Sequence, residues 1–236
     1  SRDERIVRLA KRYLTLADII AIWKRMIGTG FIGGKSIGML LAHAILRQSS
    51  SRWTEILEDH DSFFVGSDVY YTFLVINDVW WERQQQKDPE TFLEPEAGVK
   101  ILSGRFPSYI VERFKDMLDY FGKSPIIVRS SSLLEDNFGN AFAGKYESVF
   151  CTNQGTPEER LEGLLSAVRM VYASSVSDEA LQYRKARGLL EQDEQMALLI
   201  QRLSGAPFKN MFFPQLAGVA FSFNPYPCHS SSHADA

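Results

Sequence analysis

The densest phosphate-compatible chemistry in the chain lies at Gly28-Thr-Gly-Phe-Ile-Gly-Gly-Lys-Ser-Ile-Gly38. Three known patterns overlap there. Gly28, Gly30 and Gly33 make a literal G-x-G-x-x-G, whose chemistry requires a strand that delivers the turn to a pyrophosphate. The residues before it, 17–27, have the apolar spacing of a helix, which argues against a dinucleotide turn. Gly34-Lys35-Ser36 resembles the end of a phosphate-binding loop, but Thr29 occupies the position that needs the first glycine. Gly34-x-Ser36-x-Gly38 matches a nucleophile elbow, yet no strand precedes it and nothing places a histidine near Ser36. What all three leave standing is a set of amides uncovered by glycine, a helix starting near Lys35, and a mobile positive charge, which together suit an anion. The alternative is a helix-capping turn with a solvated lysine.

A second constellation is Pro125-Ile-Ile-Val-Arg129-Ser-Ser-Ser132. Arg129 stands at the end of an apolar strand, where its fork of donors can take a phosphate in bidentate fashion. Its alternative partners are Glu135 and Asp136. The three serines have no base beside them and read as turn-formers or hydroxyl donors. A third segment, Asn140-Ala-Phe-Ala-Gly-Lys-Tyr-Glu-Ser148, offers small residues around Gly144 that can approach phosphates. Four histidines are scattered. His43 fits a helix pattern and His60 a polar loop. His229 and His233 near Cys228 lack helical metal-ligand spacing, so no metal site is expected.

The elements that must position these groups follow from periodicity and caps. Residues 4–27 are amphipathic with helical spacing, and Ser36–Arg47 repeats that pattern. Val69–Ile76, rich in Val, Tyr, Phe and Thr, reads as a strand or buried segment. Residues 82–97 read as a polar exposed insertion. Ser108–Phe121 reads as a helix capped by Ser108 and stopped by Gly122. Residues 124–129 and 146–152 read as strands. Thr156-Pro-Glu-Glu159 is a capping box with proline in the first turn, and a further helix runs from Asp178 to a stop at Gly188. Gln195–Leu203 and Ala217–Phe223 read as strands able to pair as a hairpin and open a second subdomain.

Composition narrows the function classes. The 236 residues are 45% hydrophobic and 23% charged, with 26 basic and 29 acidic side chains and a net charge of −3. That balance lacks the basic footprint of a nucleic-acid binder, so no nucleic-acid partner is expected. The longest apolar runs are too short to cross a bilayer, and the N-terminus carries no secretory signal. Two cysteines give no disulfide framework, and a cytoplasmic location is expected.

The segments also occur in a telling order. Ile32-Gly-Gly-Lys-Ser-Ile-Gly-Met is followed by Ile127-Val-Arg-Ser-Ser-Ser-Leu-Leu-Glu-Asp and Ala141-Phe-Ala-Gly-Lys-Tyr-Glu-Ser-Val. Then come Ala173-Ser-Ser, Ala180-Leu-Gln-Tyr-Arg, Met196-Ala-Leu-Leu-Ile-Gln and Ala217-Gly-Val-Ala-Phe-Ser-Phe-Asn-Pro. Over roughly residues 30–225 this set resembles the N-terminal nucleotide-binding domain of phosphoenolpyruvate synthase and pyruvate, phosphate dikinase. The resemblance implies an α+β, ATP-grasp-like fold whose two subdomains clasp ATP. It implies an N-terminal helical segment (1–27), a first subdomain (28–194) and the start of a second (195–236). It also implies phosphate-binding roles for Lys35 and Arg129, a phosphate-covering loop at Ala143 and Gly144, and a hinge position near the adenine for Gln201. The implied cofactors are ATP and Mg²⁺. The implied partners are a swivelling phosphohistidine domain and, through a further domain, pyruvate or phosphoenolpyruvate.

The departures from the family pattern are equally specific. The acidic Gly-Leu-Gly-Glu-like segment beyond the Phe221-Ser-Phe-Asn-Pro strand is absent, so the metal ligands are expected outside this chain. Ser232-His-Ala-Asp lacks the glycine-rich context of the phosphohistidine motif. The expectation is therefore a fragment of an ATP-dependent phosphotransferase, inactive by itself. The rival readings are a regulatory module of the same fold that binds a nucleotide or protein, and a dinucleotide-dependent oxidoreductase built on Gly28–Gly33.

Overall fold

The computed structural model describes residues 3–85, 96–132, 134 and 145–218. In chain order the elements are α1 (Glu4–Tyr13), α2 (Leu16–Lys24), β1 (Met26–Ile27), α3 (Gly33–Ser49), α4 (Ser51–Ile56), β2 (Ser62–Val65) and α5 (Ser67–Ile76). They continue with α6 (Trp80–Gln85), α7 (Glu96–Ser103), α8 (Ser108–Phe121), β3 (Ile126–Ser130), β4 (Ser148–Cys151), α9 (Pro157–Ser174) and α10 (Asp178–Ala186). The last are β5 (Leu198–Arg202), β6 (Ala206–Phe208) and β7 (Met211–Phe213). The chain divides into two compact units, Ser1–Leu203 and Ser204–Ala236. In the second, β6 and β7 form an antiparallel hairpin.

The first unit is an α+β fold around a five-stranded sheet of order β1-β2-β5-β3-β4. Only β1 and β2 run parallel; β5 is antiparallel to both β2 and β3, and β4 is antiparallel to β3. Alternation along each strand separates two faces. Phe63, Val65, Ile126, Val128, Leu198 and Ile200 point into the main core, with Phe73, Phe114, Met117, Leu164, Val168 and Tyr172 from the helices. On the opposite face a smaller cluster of Leu40, Phe64 and Leu199 seats α3 on the sheet.

Several elements differ from the sequence expectation, each for a physical reason. The expected helix over 4–27 is two helices, because Thr15 and Asp18 form a reciprocal capping box that starts α2 afresh. It also stops at Lys24, and Met26–Ile27 becomes a short strand against β2. Val69–Ile76 is helical: Val69, Tyr70, Phe73 and Leu74 bury one face at spacings of one and four, so packing overrides their preference for strands. Ser108 opens α8 without capping it; Pro107 holds the cap position and no side-chain bond closes it. Around the expected insertion, α6 and α7 flank residues 86–95, which lie outside the described residues. The capping box at Thr156 and Glu159 is present. Residues 195–203, read as one arm of a hairpin, supply β5, which pairs with β2 and β3 instead. Most of the other arm, 219–223, lies outside the described residues. No helix among the described residues is long and apolar enough to cross a membrane.

One end of the sheet is closed by charge. Asp61, just before β2, accepts from Arg25 at 2.8 Å and from Arg202 at 2.6 Å, and Arg25 also donates to Tyr120 at 2.7 Å. Burial pulls the Asp61 carboxyl upward, but the bonds from Arg25 and Arg202 outweigh it and hold the group below its ordinary value of 3.8. A lowered carboxylate contributes stability that is present above its unfolded value and lost as pH falls through its folded one. The difference in urea midpoint between pH 7 and pH 3 should therefore be smaller in Asp61→Asn than in the wild type. An unchanged gap would remove Asp61 from the acid response.

Candidate nucleotide-binding site

The site grows from the joint between α3 and the end of β3. Ser131, the residue after β3, donates from Oγ to the Ile32 carbonyl at 2.9 Å. The same oxygen accepts from the Ser36 amide at 3.1 Å and lies 3.1 Å from the Ser36 hydroxyl. A hydroxyl has one proton, so with that of Ser131 spent on Ile32, Ser36 donates the second contact. The joint is close because Gly33 has no side chain. It sits at φ +79°, and a Cβ there would lie 1.4 Å from the Ser131 carbonyl oxygen.

Two of the sequence-predicted residues adjoin this joint in sequence. Lys35 lies in the first turn of α3, one residue before Ser36, and its Nζ is shielded from solvent. Arg129 lies two residues before Ser131. The strand register puts Arg129 opposite Leu199 on one side and Ser148 on the other. Alternation then groups Arg129 and Ile127 with Gln201 and with Ser148 and Phe150 on the α3 face of the sheet. Helix α3 covers this face over β2 and β5, whereas among the described residues no helix covers the β3–β4 half, where Phe150 is 68% exposed. Gln201, opposite Ile127, sits two residues further from the joint than Leu199, roughly 7 Å along the strand. Its amide nitrogen donates to Ser62 Oγ at 3.2 Å and contacts Met39 Sδ at 3.3 Å. Ala143 and Gly144 lie outside the described residues, as do Glu135 and Asp136, the alternative partners of Arg129.

The neighbouring glycine loop is held from inside the protein. Asp68, in the first turn of α5, accepts from the Thr29 amide at 2.9 Å and the Gly30 amide at 2.7 Å. Ser67 Oγ accepts from the Phe31 amide at 3.1 Å. A strand does precede this loop, contrary to the helical expectation. Yet the amides that a dinucleotide turn would aim at a pyrophosphate already serve Asp68. The nucleophile-elbow reading fails as well, because Ser36 is fully buried inside α3. Ser130, Ser131 and Ser132 are likewise buried, and Ser131 and Ser132 bind other protein groups through their hydroxyls.

On the open half-face Arg129 presents a guanidinium, a fork of donors of the kind a phosphate takes. A scan against family models matches residues 29–233 to the pyruvate phosphate dikinase, AMP/ATP-binding domain. The chain belongs to this family. It is also 27% identical over 126 residues to rifampicin phosphotransferase of Bacillus subtilis, a stretch covering 53% of this chain and 13% of that protein. As a dikinase-type AMP/ATP-binding domain, the chain has α1, α2 and β1 ahead of the matched region. Between those helices and α3 lies a cavity of about 430 Å³ that includes His43 and His60. His43 packs edge-on against His60 at 5.4 Å, and burial followed by the neighbouring His43 lowers the His60 pKa. Among the described residues no cluster of three or more histidine, cysteine or acidic side chains forms a metal site.

Sequence reasoning missed two residues that shape this site. Ser131 was visible only as one of three equivalent serines, and nothing local marks which of them joins α3. Asp68 was hidden by reading the residues after it, Val69–Ile76, as a strand or buried segment; as a helix start, Gly66-Ser-Asp68 places an acid where it meets exposed amides. Two outcomes follow. Gly33→Ala should destabilise the domain by about 3 kcal/mol or more, since it combines a disfavoured φ with a backbone clash. Thermal unfolding measures it, and a wild-type midpoint would show that the joint can open. Asp68→Ala should cost about 2–3 kcal/mol by leaving loop amides without their charged acceptor, read from urea unfolding.

Proposed function

We propose that this chain is the nucleotide-binding part of an ATP-dependent phosphotransferase of the phosphoenolpyruvate synthase and pyruvate, phosphate dikinase type. The observation that supports the reading is the Ser131 joint, which binds Ser131, two residues after Arg129, to the first turn of α3, in which Lys35 lies. In this reading Arg129 takes a phosphate oxygen pair with its guanidinium fork, and Lys35 supplies a second charge from the first turn of α3. Gln201 lies toward the base. Phosphoryl transfer depends on position and charge neutralisation more than on covalent chemistry by the protein, which suits a site of cations and amides. Mg²⁺ supplies further neutralisation of the phosphates when bound.

The acceptor in the proposed reaction is a histidine on a separate swivelling domain, from which the phosphoryl group passes to pyruvate on a further domain. The second ATP-grasp subdomain is proposed to develop beyond β5. Supporting this, Ser204–Ala236 forms its own compact unit.

Calorimetry with Mg-ATP, on this chain and on a form extended at its C-terminus, tests the reading. Binding is expected in at least the extended form. Arg129→Ala and Lys35→Ala should each weaken it about 10- to 100-fold, the loss of one charge-assisted phosphate contact, with unfolding midpoints near wild type. Absence of binding in both forms would sink the proposal. Full affinity in Arg129→Ala would remove that residue from the site.

A further inference from the structure

Beneath the phosphate end of this face lies a carboxylate that the proposed chemistry does not use. Glu194 is 2% exposed and stands four residues before β5. Its Oε1 accepts from the Ser132 hydroxyl, and its Oε2 accepts from the Tyr146 hydroxyl. The same Oε2 lies 3.9 Å from Nη1 of Arg184, itself buried. Arg184 is held in turn by the Ser175 carbonyl through Nη2 and by the Ala180 carbonyl at 3.4 Å. Burial, and then the charge of Glu194, raise the Tyr146 phenol, so it remains a donor across the physiological range.

The placement of these partners is the informative part. Ser132 is three residues beyond Arg129 on the exit of β3. Tyr146 is two residues before Ser148, the β4 residue paired with Arg129. Glu194 itself leads into β5, whose Leu199 is the other neighbour of Arg129. One carboxylate thus ties together the ends of β3, which carries Arg129, and of the two strands that flank it, at the end where Ser131 meets α3. A buried ion pair adds little net stability compared with apolar packing of the same volume. What a fully bonded one does provide is a defined geometry.

We propose that Glu194 is a positioning residue for the nucleotide's outer phosphates: by fixing the exit of β3 it sets Arg129 against Lys35. This inference rests on the nucleotide reading above. It is tested by calorimetry with Mg-ATP and with AMP, which keeps the base, the sugar and one phosphate. Two variants are used in whichever form of the protein binds Mg-ATP. Glu194→Gln keeps the shape and removes the charge. Ser132→Ala leaves the Glu194–Arg184 pair intact and carries the test if Glu194→Gln fails to fold. Mg-ATP affinity should fall about tenfold or more in the folded variants, as expected when a charged contact is misplaced, with AMP affinity within about twofold of wild type. A parallel fall for ATP and AMP would assign Glu194 a merely structural role and overturn the inference. So would unchanged ATP affinity in Ser132→Ala. A wild-type protein that binds neither nucleotide would overturn the nucleotide reading and this inference together. Wild-type binding with indifferent variants would overturn the inference alone.

Discussion

The architecture of this domain depends on a hydroxyl. Ser131 Oγ stands between the turn into α3 and the end of β3, donating to Ile32 and accepting from Ser36. It fixes the first turn of α3, whose cap residue, Ile32, contributes no side-chain bond. The approach it demands is so close that only a glycine fits at position 33. Once the joint is made, Leu40 falls onto Phe64 and Leu199, and α3 covers half of the sheet face. The other half stays open because no described helix lies over β3 and β4 there. Site and support are therefore set by one short contact between segments 95 residues apart.

Around that joint, polar groups are arranged by job. The carboxylate of Asp68 holds the glycine loop from below, and Asp61 braces the far end of the sheet between two arginines. The Glu194–Arg184 pair lies inside, where bonds to Ser132 and Tyr146 offset its desolvation. All three are acids that organise backbone or cations within the protein, while the open half-face carries cationic and neutral side chains. An anionic ligand meets little competing negative charge from the described side chains of that face.

Much of this was legible in the sequence where local chemistry decides structure. The box at Thr156 and Glu159 and the stripe of α8 from Ile110 to Phe121 formed as their residues demand. The order of the Lys35, Arg129 and Gln201 segments pointed to the family later matched over residues 29–233. What was hidden depended on long-range packing. Val69–Ile76 has the composition of a strand, and only the core against Tyr172 and Phe114 makes it a helix. Met26–Ile27 continues a helical pattern and becomes a strand because β2 offers it an edge. The choice of Ser131 over its two neighbours, and the burial of Glu194 within a polar run, follow from tertiary contacts that no local window contains.

The sheet order has a further consequence for how the chain is made. β5 lies between β2 and β3 and is the last of the five strands in sequence. During synthesis, β1–β2 and β3–β4 can each pair before residues 198–202 leave the ribosome, but they cannot join. Each half-sheet then waits with an unpaired edge of apolar strand, the kind of edge that recruits other chains. The same strand that carries Gln201 is thus the keystone of biogenesis: the candidate site's face and the finished fold come into being at the same moment.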